Sequence, residues 1–251
     1  MFELNNFFDN ANMKVIDRKG AFTVFEHERD LSVSPDNAVT AYFSSEMNVR
    51  RRQVYIAMDG NGCVVQAGAM QWMLGDLKMG TGVTGVGNFL GKMASAAVTK
   101  ESAIKPEYSG KGVMMLEPTY RHIILMDVSE WGSVVLDDGL FLACDNTLQQ
   151  KTVARSNLSS AVLGKEGLFN LSLVGNGIAA LESPVPKSEL IEMELKDDVV
   201  KIDGNMAIAW SGSLNFTVEK AGKSLIGSAA SGEGLVNVYR GTGKILMAPT
   251  A

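Results

Sequence analysis

At 251 residues, 46% of them hydrophobic and 20% charged, the chain is long enough to bury a core without disulfide or metal support. A net charge of −5 argues against a nucleic-acid surface as the default expectation. Two cysteines, Cys63 and Cys144, exclude a disulfide scaffold by number and read as buried small hydrophobes of a reducing interior.

In chain order, Met1-Phe2-Glu3-Leu4-Asn5-Asn6 lacks a basic region followed by an apolar run, so no secretory signal is read and a cytoplasmic location is expected. Lys14-Val15-Ile16, Phe22-Thr23-Val24-Phe25 and Gln53-Val54-Tyr55-Ile56-Ala57 predict strands. The basic run Arg50-Arg51-Arg52 between them is expected to be an exposed edge or a set of local ion pairs rather than a phosphate site. Asp59-Gly60-Asn61-Gly62 predicts a turn, with Cys63-Val64-Val65-Gln66-Ala67 as the next strand. Residues 1–77 are read as a diverged first β module.

From Lys78 to Lys100 glycines crowd the first half, and Val86, Leu90, Met93 and Ala97 then fall at helical spacing. A Gly-rich connector and one short helix are expected over 78–100. The helix is read as covering a sheet end in preference to touching a membrane or partner through 80–97. Gly80-Thr81-Gly82-Val83-Thr84-Gly85 matches the dinucleotide pattern only literally, because the strand–turn–helix context is missing. Gly91-Lys92 lacks the preceding Gly and following hydroxyl of a phosphate loop.

The second half repeats itself. Glu101-Ser102-Ala103-Ile104 precedes Gly110-Lys111-Gly112-Val113, and Glu166-Gly167-Leu168-Phe169 precedes Gly175-Asn176-Gly177-Ile178. Glu233-Gly234-Leu235-Val236 then precedes Gly241-Thr242-Gly243, so Glu stands nine, nine and eight residues before the first Gly. Asp138-Gly139 aligns with Asp203-Gly204 without a gap, and each predicts a tight hairpin between apolar runs. Ile191-Glu192-Met193-Glu194-Leu195 and Leu214-Asn215-Phe216-Thr217-Val218 alternate as half-buried strands do. A second module over 101–165 and a third over 166–251 are expected, each needing neighbours to seal its core.

The chemistry is sparse. Glu101, Glu166 and Glu233 read as structural acceptors, because repeats give carboxylates like environments whereas a catalytic pair needs unlike ones. His27 and His122 are the only histidines, neither at metal spacing, and His122 reads as a strand-end residue. No Gly-x-Ser-x-Gly elbow supports a serine nucleophile. No catalytic, cofactor-binding or metal-ligating residue is assigned, no cofactor is expected, and an enzyme is disfavoured.

Gly68-Ala69-Met70-Gln71-Trp72-Met73 is similar to a Gly-Ala-Met-x-x-Met signature, followed in order by Glu101-Ser102, Gly110-Lys111-Gly112-Val113, Leu116, Pro118, Asp138-Gly139 and Gly232-Glu233-Gly234-Leu235. The combination, from about residue 10 to 247, resembles the altered inheritance of mitochondria number 24 family, known in bacteria as a conserved domain of unknown function. The resemblance implies an all-β fold of tandem repeated β-sandwich modules, of the tryptophan RNA-binding attenuation protein-like or double-stranded β-helix type, often trimeric. It carries no catalytic residues over. Ala103 and Ile104 stand where aromatics are usual. The leading expectation is a non-enzymatic structural or interaction protein that forms a homo-oligomer. The alternatives are a nucleic-acid-binding protein by fold analogy and a ligand binder or enzyme with a pocket between modules.

Overall fold

The computed structural model describes residues 2–80, 105–154, 169–220 and 235–250. The fold is mostly β. β1 (Met13–Lys19) and β2 (Phe22–His27) form a hairpin, and α1 (Ala38–Glu46) precedes β3 (Arg52–Val65), β4 (Met70–Gly80) and β5 (Glu107–Leu116). Then come β6 (His122–Asp127), β7 (Ser133–Leu136), β8 (Phe141–Asp145), β9 (Gln149–Ala154), β10 (Phe169–Val174) and β11 (Ile178–Ser183). β12 (Ile191–Asp203), β13 (Ala207–Ser211), β14 (Asn215–Lys220) and β15 (Leu235–Met247) complete the described chain.

These strands make an eight-stranded and a seven-stranded antiparallel sheet. One apolar cluster draws Val64, Ile124 and Leu181 from the first sheet and Val134, Leu136 and Ile208 from the second, so the sheets share a core. A second cluster, with Phe22, Ile56, Met114 and Leu125, lies within the eight-stranded sheet, and a third, with Trp210, Tyr239 and Ile245, within the seven-stranded one. Each fully buried side chain of this size contributes about 1.5–3 kcal/mol.

The strand order has a regularity. β5 lies between β3 and β4; β11 lies between β6 and β8; β10 lies between β7 and β9; β15 lies between β12 and the pair β13 and β14. Cys63 faces Tyr108, Val134 faces Leu173 and Val200 faces Tyr239, each two residues before the first glycine of a Gly-x-Gly. On the other edge Lys78 faces Ser109, Gln149 faces Val174 and Asn215 faces Arg240. A register shift follows Met70↔Leu116, Phe141↔Leu181 and Ala207↔Met247.

Gly110, Gly175 and Gly241 have φ of +128°, +125° and +116°, values that L side chains rarely adopt. Gly112, Gly177 and Gly243 each lie against a leucine Cγ, of Leu77, Leu148 and Leu214, where a Cβ would meet it at 3.0–3.1 Å. The residue before the leucine reaches the same place in two cases: Thr147 Oγ1 donates to Asn176 O at 2.7 Å, and Ser213 Oγ donates to Thr242 O at 2.8 Å.

Two further pairings stitch these groups together. Cys63–Val65 of β3 pair with Ala143–Asp145 of β8, and Val134–Leu136 of β7 pair with Ala209–Ser211 of β13. The flanking bonds match: Gln66 N donates to Leu142 O (2.7 Å) and Asn146 N to Gly62 O (3.0 Å), as Asp137 N donates to Ile208 O (2.9 Å) and Gly212 N to Ser133 O (3.0 Å).

Three local expectations are corrected. Asp59-Gly60-Asn61-Gly62 does not reverse the chain; β3 runs through it with a register shift, because both halves pair with the one strand β5. The Asp-Gly sites do turn, with Gly139 at φ +77° and Gly204 at +59°, but the flanking strands are not hairpin partners. β12 and β13 instead sit on opposite edges of β15. The one α-helix of the described residues is α1, where strands only were expected; the helix expected near Val86–Ala97 lies outside the described residues.

Candidate interaction site

The ends of β2 and β3 gather the arginine run. Arg52 is 1% exposed, and a buried guanidinium needs both a counter-charge and full hydrogen bonding. Its Nη2 lies 2.7 Å from Glu26 Oε2 and donates to Asn48 O (3.1 Å) and Asn48 Oδ1 (2.8 Å), while Nη1 donates to Arg50 O (3.2 Å). Asn48, at φ +62°, turns the chain so that both of its oxygens face that group. Arg50 reaches the other oxygen of Glu26 at 3.1 Å and donates from Nε to Ser45 O in the last turn of α1. A cation at a helix C-terminus also meets the negative end of the helix dipole.

Arg51 points the other way, to Asp30 Oδ2 at 2.8 Å and to the Tyr120 hydroxyl at 3.1 Å, over whose ring it also lies. Hydrogen bonds from Ser32, with Arg51 and Tyr120 beside it, hold the Asp30 carboxyl below its ordinary range. The run is therefore a set of local ion pairs, as expected; Arg52 is not at an exposed edge.

This clasp fixes α1 by its C-terminal end, helped by Ser45 Oγ donating to Glu28 O at 2.7 Å. The helix buries none of its residues: Val39, Tyr42, Phe43 and Met47 just beyond it are all more than half exposed. A cleft of about 170 Å³ separates α1 from the clasp, lined by His27, Ser44, Ser45, Arg50, Arg51 and Tyr120. Ser34-Pro35-Asp36, a cap residue followed by proline and an acid, was the sequence signal for a helical start here.

His27 Nε2 is 2.8 Å from Gln53 Oε1. His122 opens β6, the strand-end position expected of it, and burial pushes its pKa down. Among the described residues no group of three or more His, Cys, Asp or Glu could hold a metal ion. Glu101, Glu166 and Glu233 lie outside the described residues, as do residues 81–100 of the expected connector 78–100 and all but Gly80 of its 80–97 stretch; residues 78–80 continue β4 instead. No helix among the described residues is long and apolar enough to cross a membrane.

Cys63 and Cys144 are free and buried, as expected, on opposite faces of their sheet, one in each of two core clusters. Burial pushes the Cys63 thiol up to about 12 and that of Cys144 higher still, so neither is a thiolate near neutral pH. A thiol reagent at pH 8 is expected to leave both unmodified in the native protein and to label both in denaturant. Rapid native labelling of either would contradict the packing described.

The family described as "Mitochondrial biogenesis AIM24" matches residues 43–250. An uncharacterised protein of Streptococcus pyogenes serotype M6 is 28% identical over 212 residues, covering 81% of this chain and 83% of that one. A crystal structure of a second Streptococcus pyogenes protein superposes with a TM-score of 0.58 at 25% identity, covering 80% of this chain and 88% of that one. Over five-sixths of its length, through β3 to β15, the chain carries this family's pattern, and it belongs to the mitochondrial biogenesis AIM24 family.

Proposed function

We propose that the protein is a non-enzymatic structural or interaction protein, assembled from three like modules and associating with copies of itself. The observation that carries this is the threefold recurrence of one arrangement. β3–β5, β6–β11 and β12–β15 each place a Gly-x-Gly strand between two others, in the same register on both sides, with the same left-handed glycine. On this reading the units span about 52–116, 122–183 and 191–247 in place of the expected 1–77, 101–165 and 166–251, because β5 pairs with β3 and β4 and the Gly-x-Gly strand closes each unit, in a fold of the tryptophan RNA-binding attenuation protein-like kind. Modules that seal their cores by docking on one another are suited to extending that docking between chains.

The commitment of Arg50, Arg51 and Arg52 to carboxylates of the same chain supports this reading over a nucleic-acid surface built on that run. A cytoplasmic setting fits the free buried thiols. Light scattering on the purified chain at micromolar concentration is the test. The expected mass is a multiple of 26.9 kDa, with three copies the stoichiometry that the family resemblance suggests. A mass of one chain across the whole concentration range would overturn self-association.

A further inference from the structure

We infer that copies join head to tail through two strand edges, the outer edge of β12 in one chain and that of β4 in the next. The inference rests on the self-association reading and specifies its interface. Within the chain, the same joint is made twice: the C-terminal half of a first strand pairs with the N-terminal half of the next unit's second strand. In the first joint Val64 faces Cys144, and in the second Val135 faces Trp210; all four are buried.

Register carries the pattern to its two remaining ends. Val200 occupies the place of Cys63 and Val134, two residues before the glycine opposite. Leu77 occupies the place of Leu148 and Leu214 against Gly-x-Gly. The third joint would then set Val200 against Leu74, Lys201 against Met73 and Ile202 against Trp72. It would be flanked by Gly75 N donating to Val199 O and Asp203 N donating to Gln71 O.

Both edges are open among the described residues. Among the described residues β4 pairs only with β5, and β12 only with β15. Where the internal joints bury their residues, Met73 is 42% exposed, Val199 47% exposed and Lys201 exposed. The stretch of β4 that would pair, Met70–Leu74, carries no charge of the kind that normally guards a free strand edge; Asp76 and Lys78 lie beyond it. The occupant is a second copy, because the chain itself contains the complementary strand and shows its docking register twice. Such a contact is heterologous and builds a ring where its rotation closes.

Single variants Met73→Cys and Lys201→Cys test it, mixed at the concentration where wild type assembles and mildly oxidised. Directly opposed, hydrogen-bonded antiparallel residues have Cα atoms about 5.5 Å apart, inside the range a disulfide spans. Buried Cys63 and Cys144 stay silent. A disulfide-linked dimer from the mixture, and from neither variant alone, is the expected result. Lys201→Pro removes an amide that the register directs away from β15, and is expected to yield a monomer with unchanged circular dichroism. No dimer from the mixture, while wild type still scatters as a multimer, would overturn this joint and leave self-association standing. Wild type as a monomer throughout would overturn both. A disulfide closing within one chain when Met73→Cys and Lys201→Cys are combined in the same chain would overturn the second copy as occupant.

Discussion

Gly110→Ala is expected to be the most destabilising of the three equivalent glycine replacements, by about 3 kcal/mol or more. Two terms add. At φ +128° an alanine carries backbone strain, about 1–3 kcal/mol. Its Cβ would also fall far inside contact distance of the Asp76 carbonyl oxygen, which is backbone and cannot rotate away. Overpacking of that kind contributes about 1–3 kcal/mol more. Gly175→Ala would meet Thr147 O at 3.3 Å, and Gly241→Ala nothing closer than Ser213 O at 3.9 Å. Their cost is mainly the strain alone, about 1–3 kcal/mol. Urea unfolding should therefore rank the midpoints Gly110→Ala lowest, then Gly175→Ala, then Gly241→Ala, with similar slopes. A neutral Gly110→Ala would contradict the left-handed geometry and the close approach of β4 to β5.

Arg52→Ala is expected to have the second large effect, about 3 kcal/mol, because removing one member of a buried pair leaves a carboxylate short of its partner. Glu26 would keep only Arg50, and both Asn48 oxygens and Arg50 O would lose a donor. Arg51→Ala, whose pair is far more exposed, should cost about 1 kcal/mol or less. Arg52→Lys should not restore stability, since an ammonium cannot reproduce the planar fork that meets Glu26 and Asn48 together. Thermal unfolding of the three variants distinguishes them. Limited proteolysis should also open the chain near α1 in Arg52→Ala, because the clasp is what holds that helix. Equal small effects from all three would mean that the run is merely a solvated edge.

The sequence was most legible where structure depends on short-range chemistry. The first glycine of each Gly-x-Gly and the turn glycines Gly139 and Gly204 sit at positive φ, a conformation that favours glycine. Strands with alternating or continuous apolar residues, β1, β2, β12 and β14 among them, lie where pattern places them. Pairing was less legible, because partners are chosen over long distances. Asp203-Gly204 reverses the chain, yet β15, more than thirty residues on, takes the slot between β12 and β13. Gly60 and Gly62 looked like a reversal, yet a single continuous partner, β5, draws the strand straight through.

The site was legible only in part. Opposite charges near Arg50-Arg51-Arg52 could be expected, but the partners Glu26, Asp30 and Asn48 are brought in by the β2–β3 pairing and by the turn after α1. α1 itself has no amphipathic pattern to read, since none of its residues is fully buried in this chain. The turn Pro35–Asn37 that leads into it opens on Ser34-Pro35-Asp36, a helical-start pattern that the sequence reading did not use.

Amide hydrogen exchange on the assembled wild-type chain tests the account at its centre, that one edge-to-edge joint works both inside the chain and between chains. Gly212 and Asp137 are bonded across an internal joint and provide the reference. The amides of Gly75 and Asp203, at the corresponding places on the free edges, should be protected alongside them and become fast-exchanging in Lys201→Pro. Gly75 and Asp203 exchanging as freely as exposed loop amides in the wild-type assembly would contradict it.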